Sequence, residues 1–180
     1  KASNTLNATS SSTCIPCPLN EFAENQGQVT CDVCSTGKAT RTAGSISCER
    51  CRPGEFMFNQ NNGMSICKKC DRGKYSYGAT IQCNDCPIGR YNNSDNTGCS
   101  PCAAGKWSDT IGASNDLVCT DCIAGTYNQI VGAGSISNCL QCPKGRASNT
   151  SGANSLDYCV KCPINSFTDI NGATSCKQCL

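Results

Sequence analysis

Ten Cys-x-x-Cys pairs run along this chain and account for all 20 cysteines among its 180 residues. A short spacing that recurs in this way indicates a covalent or metal framework in a tandem array rather than a globular enzyme. The pairs predict nine cysteine-rich repeats over residues 14–179, preceded by a polar N-terminal segment at residues 1–13. The pairs begin at Cys14, Cys31, Cys48, Cys67, Cys83, Cys99, Cys119, Cys139, Cys159 and Cys176.

The chain has few apolar residues for a conventional core. Leu, Ile, Val and Phe together supply 26 of the 180 residues, about 14%, which is below the ~20% that folded domains usually reach. Cysteine cross-links can replace this missing apolar burial. The net charge of +2 provides no concentrated basic face, so nucleic acid is not expected as a partner. No apolar run approaches the ~20 residues of a membrane span, so no direct span is expected.

Two positions recur at a fixed distance after each pair. The third residue after the second cysteine is glycine in seven repeats and asparagine in the first and last, Asn20 and Asn165. Both residue types accept a left-handed backbone, so this position predicts a turn with positive φ. Two residues further on, seven of the nine repeats carry an aromatic ring that we expect to cover the neighbouring cystine. These rings are Phe22, Phe56, Tyr75, Tyr91, Trp107, Tyr127 and Phe167.

The segments between the pairs are short and polar, and none shows a sustained helical period. Apolar residues flank Asn62-Gly63, which is typical of a β-hairpin. Other repeats carry a turn of small residues before the next cysteine, such as Gly112-Ala113. The predicted fold class is therefore a small disulfide-rich protein, an elongated tandem array of short β-hairpin and turn repeats with little or no helix.

Zinc is an alternative to disulfides. Two Cys-x-x-Cys pairs separated by 12 to 16 residues also satisfy the ligand pattern of a four-cysteine zinc site. Three features favour disulfides: the run of pairs is unbroken, histidine is absent, and proline directly follows four pairs. A zinc knuckle commonly places a left-handed residue there, a conformation that proline cannot adopt. We therefore expect no cofactor, and a multi-zinc protein stays an alternative. The four prolines are Pro18, Pro87, Pro143 and Pro163.

Two disulfide schemes are compatible with the spacing. One couples pairs in twos, first cysteine to first and second to second. The other joins the second cysteine of each pair to the first of the next, and it is favoured because the segment lengths do not alternate between two classes. The lengths are 13, 13, 15, 12, 12, 16, 16, 16 and 13. The favoured bridges are Cys17–Cys31, Cys34–Cys48, Cys51–Cys67, Cys70–Cys83, Cys86–Cys99, Cys102–Cys119, Cys122–Cys139, Cys142–Cys159 and Cys162–Cys176.

The favoured scheme leaves Cys14 and Cys179 without partners. They would pair with repeats outside the given chain or with neighbouring molecules. A head-to-tail junction would place 14 residues between Cys179 and the next Cys14, which lies inside the range of the other segments. End-to-end polymerisation through an inter-subunit disulfide is therefore a hypothesis, with the chain itself as partner.

Three Asn-x-Ser/Thr triplets are candidate N-glycosylation sites, at Asn7, Asn92 and Asn149. Asn149 lies beside a predicted turn and Asn92 lies in a run of polar residues, so both are expected to be exposed. Together with the cysteines, these triplets favour an oxidising, secretory environment. The expected location is extracellular or at the cell surface.

Segments such as Cys83-Asn-Asp-Cys86-Pro-Ile-Gly89-Arg-Tyr91 resemble the growth-factor-receptor-type cysteine-rich repeats of ephrin-receptor and tumour-necrosis-factor-receptor ectodomains. The ten-pair array and its Asn/Thr/Ala/Gly filler look most like ciliate surface proteins of the immobilisation-antigen type. The resemblance covers residues 14 to 179 and implies an extracellular, disulfide-laddered protein of a cell coat or cilium. The resemblance to tumour-necrosis-factor-type repeats implies that the second cysteine of each pair bonds to the first cysteine of the next pair. This pairing agrees with the favoured scheme.

Catalysis has little support in the sequence. The chain contains no histidine, no glycine-rich phosphate loop and no paired carboxylates. We therefore expect a non-enzymatic structural protein of a coat, cilium or matrix, with possible end-to-end assembly into filaments. The alternative is a receptor-type ectodomain whose exposed rings contact an unknown protein ligand, and clustered exposed rings would favour it.

Overall fold

The computed structural model describes residues 14–25, 27–59 and 65–179. These residues form nine two-stranded antiparallel hairpins in chain order, and no α-helix occurs in this part of the chain. In each hairpin the first strand begins shortly after one cysteine pair and the second strand lies at the next pair. The fold class expected from the sequence, a small disulfide-rich tandem array of hairpins with little helix, is confirmed.

Most strands contain only two residues because a turn follows each of them closely. The pairing joins consecutive strands throughout, β1 with β2 up to β17 with β18. The strands are β1 Glu21–Phe22, β2 Asp32–Val33, β3 Lys38–Ala39, β4 Glu49–Arg50, β5 Glu55–Asn59, β6 Ser65–Lys69, β7 Lys74–Tyr75, β8 Asn84–Asp85, β9 Arg90–Asn92, β10 Cys99–Pro101, β11 Lys106–Trp107, β12 Thr120–Asp121, β13 Thr126–Tyr127, β14 Leu140–Gln141, β15 Arg146–Ala147, β16 Val160–Lys161, β17 Ser166–Phe167 and β18 Lys177–Gln178.

The longest hairpin is β5–β6, which pairs from Glu55 opposite Lys69 to Asn59 opposite Ser65. Its strands are the ones that the apolar residues around Asn62-Gly63 predicted, while that turn itself lies outside the described residues. Three short 3₁₀ turns precede a first cysteine in the repeats with the widest cysteine spacing, and a side chain of Asn115, Ser135 or Ser155 caps each of them. The 3₁₀ turns are Asp116–Val118, Ile136–Asn138 and Leu156–Tyr158.

Nine disulfide bonds close the hairpins into loops, with Cα–Cα distances of 5.4–5.8 Å. Each bond joins the second cysteine of one pair to the first cysteine of the next, which is the scheme that the segment lengths favoured. We number these loops 1 to 9, from Cys17–Cys31 to Cys162–Cys176. Every Cys-x-x-Cys pair between two loops therefore ends one loop and begins the next.

The turn predicted three residues after each second cysteine is confirmed. All nine residues at this position have positive φ, between 63° at Asn165 and 85° at Gly105. This left-handed residue reverses the chain between the cystine and the first strand of the hairpin. The remaining members are Asn20, Gly37, Gly54, Gly73, Gly89, Gly125 and Gly145.

The described residues pack as two compact units. The first unit contains the chain up to Asp71 together with Tyr75–Asn84 and Asp95–Gly98. The second contains Arg72–Lys74, Asp85–Ser94 and the chain from Cys99 onward. Loops 1 to 3 therefore belong to the first unit, and loops 6 to 9 belong to the second.

Main-chain hydrogen bonds join consecutive loops within the second unit. Between loops 6 and 7, the Gly105 N–H donates to Asn128 O at 2.7 Å, Ser108 N–H donates to Ala133 O at 3.0 Å, and Gly132 N–H donates to Cys102 O at 2.8 Å. The same three bonds recur between loops 7 and 8, and between loops 8 and 9. The loops thus stack by backbone contacts that do not depend on large side chains.

The core of each repeat is built from small residues and sulfur rather than from rings. The residue directly after the ring position is buried in all nine loops, and seven of the nine second cysteines are buried as well. The rings themselves lie at the edge of this core, and Phe167 is 44% exposed. The buried residues after the ring position are Ala23, Thr40, Met57, Ser76, Asn92, Ser108, Asn128, Ser148 and Thr168.

Glycine is required where a loop approaches the loop after next. A Cβ atom at Gly125 of loop 7 would collide with the carbonyl group of Gly172 in loop 9. The same collision would occur between Gly105 of loop 6 and Gly152 of loop 8. A Cβ at Gly145 would meet no atom within 4 Å, so positive φ alone explains the glycine there.

Candidate functional site

Among the residues that the structure describes, an open cleft lies between two consecutive loops in each unit. The first-unit cleft has a volume of 310 Å³ and lies between loops 1 and 2. The second-unit cleft has a volume of 410 Å³ and lies between loops 5 and 6. Both volumes are at the small end of the range for ligand sites. The first-unit cleft is lined by Phe22, Glu24, Val33, Ser35, Lys38, Ile46, Ser47 and Cys48, and the second-unit cleft by Tyr91, Pro101, Ala103, Lys106, Asp116, Leu117 and Cys119.

The two clefts are the same feature of the repeat. Each is lined by a ring and by an exposed aliphatic side chain two residues before a first cysteine. This aliphatic residue is Ile46, 69% exposed, in the first unit and Leu117, 88% exposed, in the second. A lysine four residues after a second cysteine lines both clefts, Lys38 in one and Lys106 in the other. The two clefts therefore have equivalent positions on the repeat.

The lysines of the two clefts have different electrostatic environments. Lys106 Nζ lies 2.7 Å from Asp121 Oδ1, so an ion pair neutralises it. Lys38 stands opposite Arg50 in the β3–β4 hairpin, and it forms no ion pair with any described residue. Opposed residues in an antiparallel pair share one face of the hairpin, so two cations lie close together in the first unit.

Hydroxyl groups also distinguish the clefts. Ser35 and Ser47 line the first-unit cleft, whereas Ala103 and Val118 occupy the same repeat positions in the second unit. Neither serine hydroxyl donates a side-chain hydrogen bond to another residue that the structure describes. The first-unit cleft therefore combines an apolar wall with three available donor groups.

A charged cluster lies near the first-unit cleft. Arg41 Nη2 lies 2.9 Å from Glu55 Oε2, and Arg41 Nε lies 3.2 Å from Glu49 Oε2. The hydrogen bond from Arg41 lowers the pKa of Glu55, against the opposing effect of partial burial, and the backbone N–H of Arg52 supports this lowering. Both of these carboxylates bond to Arg41, so neither pairs with Lys38, and Glu24 is the acidic residue that lines the cleft together with Lys38.

The two end cysteines are free in the structure. Cys14 is half-buried, and Cys179 is exposed. Both remain the proposed positions for an inter-subunit or external disulfide. The other 18 cysteines are in disulfides and are not available as thiolate ligands for zinc. Within the part of the chain that the structure describes, no group of three or more His, Cys, Asp or Glu residues is placed to hold a metal ion.

The expected exposure of Asn92 is wrong. Asn92 is 5% exposed, and its Nδ2 donates to the carbonyl of Lys74 at 2.9 Å. A glycan attached to this nitrogen would have to occupy space inside the packed repeat. Asn149 is exposed as expected, and Asn7 lies outside the described residues.

Sequence reasoning missed the buried position directly after the ring. Its polar members bond locally: Asn128 Nδ2 donates to the carbonyl of Lys106 at 3.0 Å, and Ser148 Oγ accepts from the N–H of Thr150 at 3.3 Å. The available signal was a small or short polar residue after nearly every ring. Such residues are usually assigned to the surface, so the signal favoured the ring as the core residue instead.

One family comparison matches part of the chain. Residues 5–51 match the family model described as tyrosine-protein kinase ephrin type A/B receptor-like. This segment includes loops 1 and 2 and the first-unit cleft. No curated protein matches the chain. The match and the nine disulfides support a cysteine-rich repeat of receptor type and an extracellular setting. No helix among residues 14–25, 27–59 and 65–179 is long and apolar enough to cross a membrane.

Proposed function

We propose that this chain is a non-catalytic structural protein of a cell coat, cilium or extracellular matrix. The observation that carries the proposal is the stack of disulfide-closed loops joined by main-chain hydrogen bonds, as between loops 6 and 7. Disulfides and main-chain hydrogen bonds stabilise each repeat without a large apolar core. Adding further repeats lengthens the stack. The resemblance to ciliate surface antigens rests on the asparagine-rich and threonine-rich filler and belongs to this proposal.

Assembly end to end is the finer part of the proposal. Ile164 in loop 9 is 93% exposed, whereas Ile88 at the same position of loop 5 is 47% exposed. The side chain of Ile88 lies against Gly134 of loop 7, so closely that a Cβ at Gly134 would collide with it. Asn20 and Asn165 share a position and a positive φ, yet Asn20 is buried and Asn165 is exposed. At the position of Asn165, loop 9 thus leaves open a surface that is covered in loops 1 to 7. A second copy, joined through Cys14 and Cys179, would cover it.

Intact mass under non-reducing conditions tests this assembly. We expect multiples of the chain mass that collapse to one mass after reduction. Cys179→Ser should remove the multiples and leave the nine internal disulfides, while Ser175→Ala, a nearby exposed change, should keep them. Monomers in which Cys14 and Cys179 are bonded within one chain would contradict the assembly and leave the extracellular structural role intact.

Glycosylation tests the secretory setting. When the chain is secreted from a eukaryotic host, we expect Asn149 to carry a glycan because it is exposed, and Asn92 to carry none because it is buried. Mass analysis before and after enzymatic removal of N-glycans measures both occupancies. Occupancy of Asn92 in the folded protein would contradict the buried hydrogen bond.

A receptor-type binding module is the second candidate function. The observation that favours it is the pair of equivalent clefts, each with a half-buried ring beside an exposed aliphatic side chain. An exposed apolar patch next to polar groups is the usual form of a protein-binding site. Binding of a protein partner that is lost on Phe22→Ala but kept on Phe167→Ala would support this role over a purely structural one.

A further inference from the structure

The first-unit cleft differs from its counterpart in a way that the fold does not require. The backbone of the repeat is the same in both, and each cleft keeps its ring, its aliphatic side chain and its lysine. In the second unit Asp121 neutralises Lys106. In the first unit the corresponding residue is Arg50, so the lysine faces a second cation instead.

Two cations opposed across a hairpin destabilise it unless an anion lies near them. The nearby carboxylates of Glu49 and Glu55 both bond to Arg41, so neither compensates Lys38. Ser35 and Ser47 line the same cleft as Lys38 and add two hydroxyl donors to it. One ammonium group and two hydroxyls in one open cleft are donor types that suit a carboxylate.

Three apolar side chains also line the cleft. Phe22 is half-buried, while Val33 and Ile46 are 67% and 69% exposed. A bulky aliphatic or aromatic side chain placed against these three residues would remove their exposed apolar surface from water, which favours binding. The cleft therefore combines apolar side chains with donor groups that can bind an anion.

Glu24 limits what the anion can be. Its carboxylate lines the same cleft and forms no ion pair with a described residue. Residues 14–34 carry Glu21, Glu24 and Asp32 and no Lys or Arg, so a polyanion such as a sulfated glycan would be repelled along its length. A single carboxylate near Lys38 avoids most of that repulsion. Glu24 can in turn accept a backbone N–H of an extended peptide.

We infer that the first-unit cleft binds an extended protein segment that places a bulky apolar side chain directly beside a carboxylate. This inference deepens the second candidate function and rests on it. The ligand lies in the groove between loops 1 and 2, with its apolar side chain against Phe22 and Ile46 and its carboxylate at Lys38. The second-unit cleft has a ring, an aliphatic side chain and a lysine at the same repeat positions but lacks the available cation, so it binds the same segment without a preference for the charge.

Peptide titration of the whole chain tests the inference. The probes are two acetylated, amidated hexapeptides, Gly-Ser-Leu-Asp-Ser-Gly and its analogue with Asn in place of Asp. Backbone amide shifts of the isotope-labelled protein report where each probe binds. We expect the Asp peptide to perturb loops 1 and 2 and to bind about two- to fivefold tighter than the Asn peptide, as an exposed ion pair allows.

Matched variants locate the effect. Lys38→Gln should abolish the difference between the two peptides, and Lys106→Gln should leave it unchanged. Ile46→Ser should weaken both peptides at loops 1 and 2, while Leu117→Ser should not. Intact mass before and after reduction shows whether each variant retains nine disulfides, and the comparison of the two peptides on the unaltered chain needs no variant.

Equal affinity of the two peptides at loops 1 and 2 would overturn the carboxylate preference and leave a binding role in place. No perturbation of these loops by either peptide at millimolar concentration would overturn both the inference and the second candidate function. Perturbation of the same residues by a sulfated heparin disaccharide, with none by the Asp peptide, would overturn the inference in favour of a glycan ligand.

Discussion

The loops of the first unit and those of the second share one backbone arrangement and differ in the side chains at equivalent positions. Met57 N–H donates to Thr80 O at 2.7 Å in the first unit, as Ser108 N–H donates to Ala133 O at 3.0 Å in the second. The buried position after the ring holds alanine or methionine in loops 1 and 3 and a polar residue in loops 5 to 9. Backbone bonds thus define the stack, and side chains are free to vary around it.

The clefts show what this freedom allows. Lys106 is paired with Asp121, and Lys38 is left beside Arg50. Since both lysines occupy the same place on the repeat, the difference in charge is not a consequence of the fold. The comparison separates residues that build the stack from residues that are available for recognition.

The largest expected effect comes from removing a cystine. Replacing Cys122 and Cys139 together by alanine should lower the free energy of unfolding by about 3 kcal/mol through the lost loop constraint. Cys122 is 1% exposed, so its missing sulfur should add about 1–2 kcal/mol through the cavity left behind. Guanidinium denaturation measures the loss. The control is Cys34 with Cys48 in the first unit, both half-buried, and equal losses for the two pairs would contradict a packing role for the buried sulfur.

Gly125→Ala and Gly145→Ala test the stacking of alternate loops. Both glycines have positive φ, 82° and 77°, so alanine should cost each about 1 kcal/mol in backbone strain. Only Gly125 would also collide with the carbonyl of Gly172, which should add about 2 kcal/mol. Denaturant midpoints measure the difference. If the two variants lost the same stability, the close approach of loops 7 and 9 would be disproved.

Asn128→Ala tests the buried polar position. The side chain is 1% exposed, accepts from the N–H of Ile130 at 2.9 Å and donates to the carbonyl of Lys106 at 3.0 Å. Its loss leaves these backbone groups unpaired, so we expect a cost of about 2 kcal/mol. Asn149→Ala at an exposed site is the control and should stay within about 0.5 kcal/mol. A neutral Asn128→Ala would contradict a stabilising role of these hydrogen bonds and would show that alanine, as at Ala23 of loop 1, is sufficient at this position.

The smallest effect concerns the charges of the first unit. The hydrogen bond from Arg41 lowers the pKa of Glu55 in the folded protein. A carboxyl with a lower pKa in the folded than in the unfolded chain stabilises the fold at neutral pH, and this contribution is lost as the pH falls through the folded pKa. Glu55→Gln should therefore cost about 1 kcal/mol at pH 7 and almost nothing at pH 2.

Asp121→Asn is the control for the charge effect. Lys106 and Asp121 are 40% and 50% exposed, so the loss of their ion pair should be smaller than that at Glu55, whose side chain is 14% exposed. Thermal unfolding at both pH values measures the two variants. A cost for Glu55→Gln that does not change with pH would contradict the role of its charge.

Local rules were enough to predict much of the repeat. The spacing of the cysteines predicted nine loops, and the alternation of glycine and asparagine predicted positive φ at all nine turn positions, from Asn20 to Asn165. Segment lengths that do not alternate between two classes favoured the pairing that the structure contains. These features depend on short stretches of chain, because a turn and a cystine act over a few residues.

The contacts between loops could not be predicted in the same way. Asn92 lies in a polar run that suggested exposure, yet the neighbouring turn buries it against the carbonyl of Lys74. The two clefts arise where the ring of one loop faces the cystine of the next, and no single segment contains both walls. The burial of Asn92 and the location of the clefts depend on how one loop is rotated relative to the next. The sequence pattern does not predict this rotation.

The sequence by itself determined the array, its turns and its preferred cross-links, because periodic cysteines and left-handed residues constrain the chain locally. Only the tertiary structure decided which residues are buried, which glycines lie against the loop after next, and which of the two cleft lysines has an acidic partner. The physical reason is that main-chain hydrogen bonds between loops place residues about 20 positions apart in contact, as with Gly105 and Asn128. Burial and charge pairing follow from that placement.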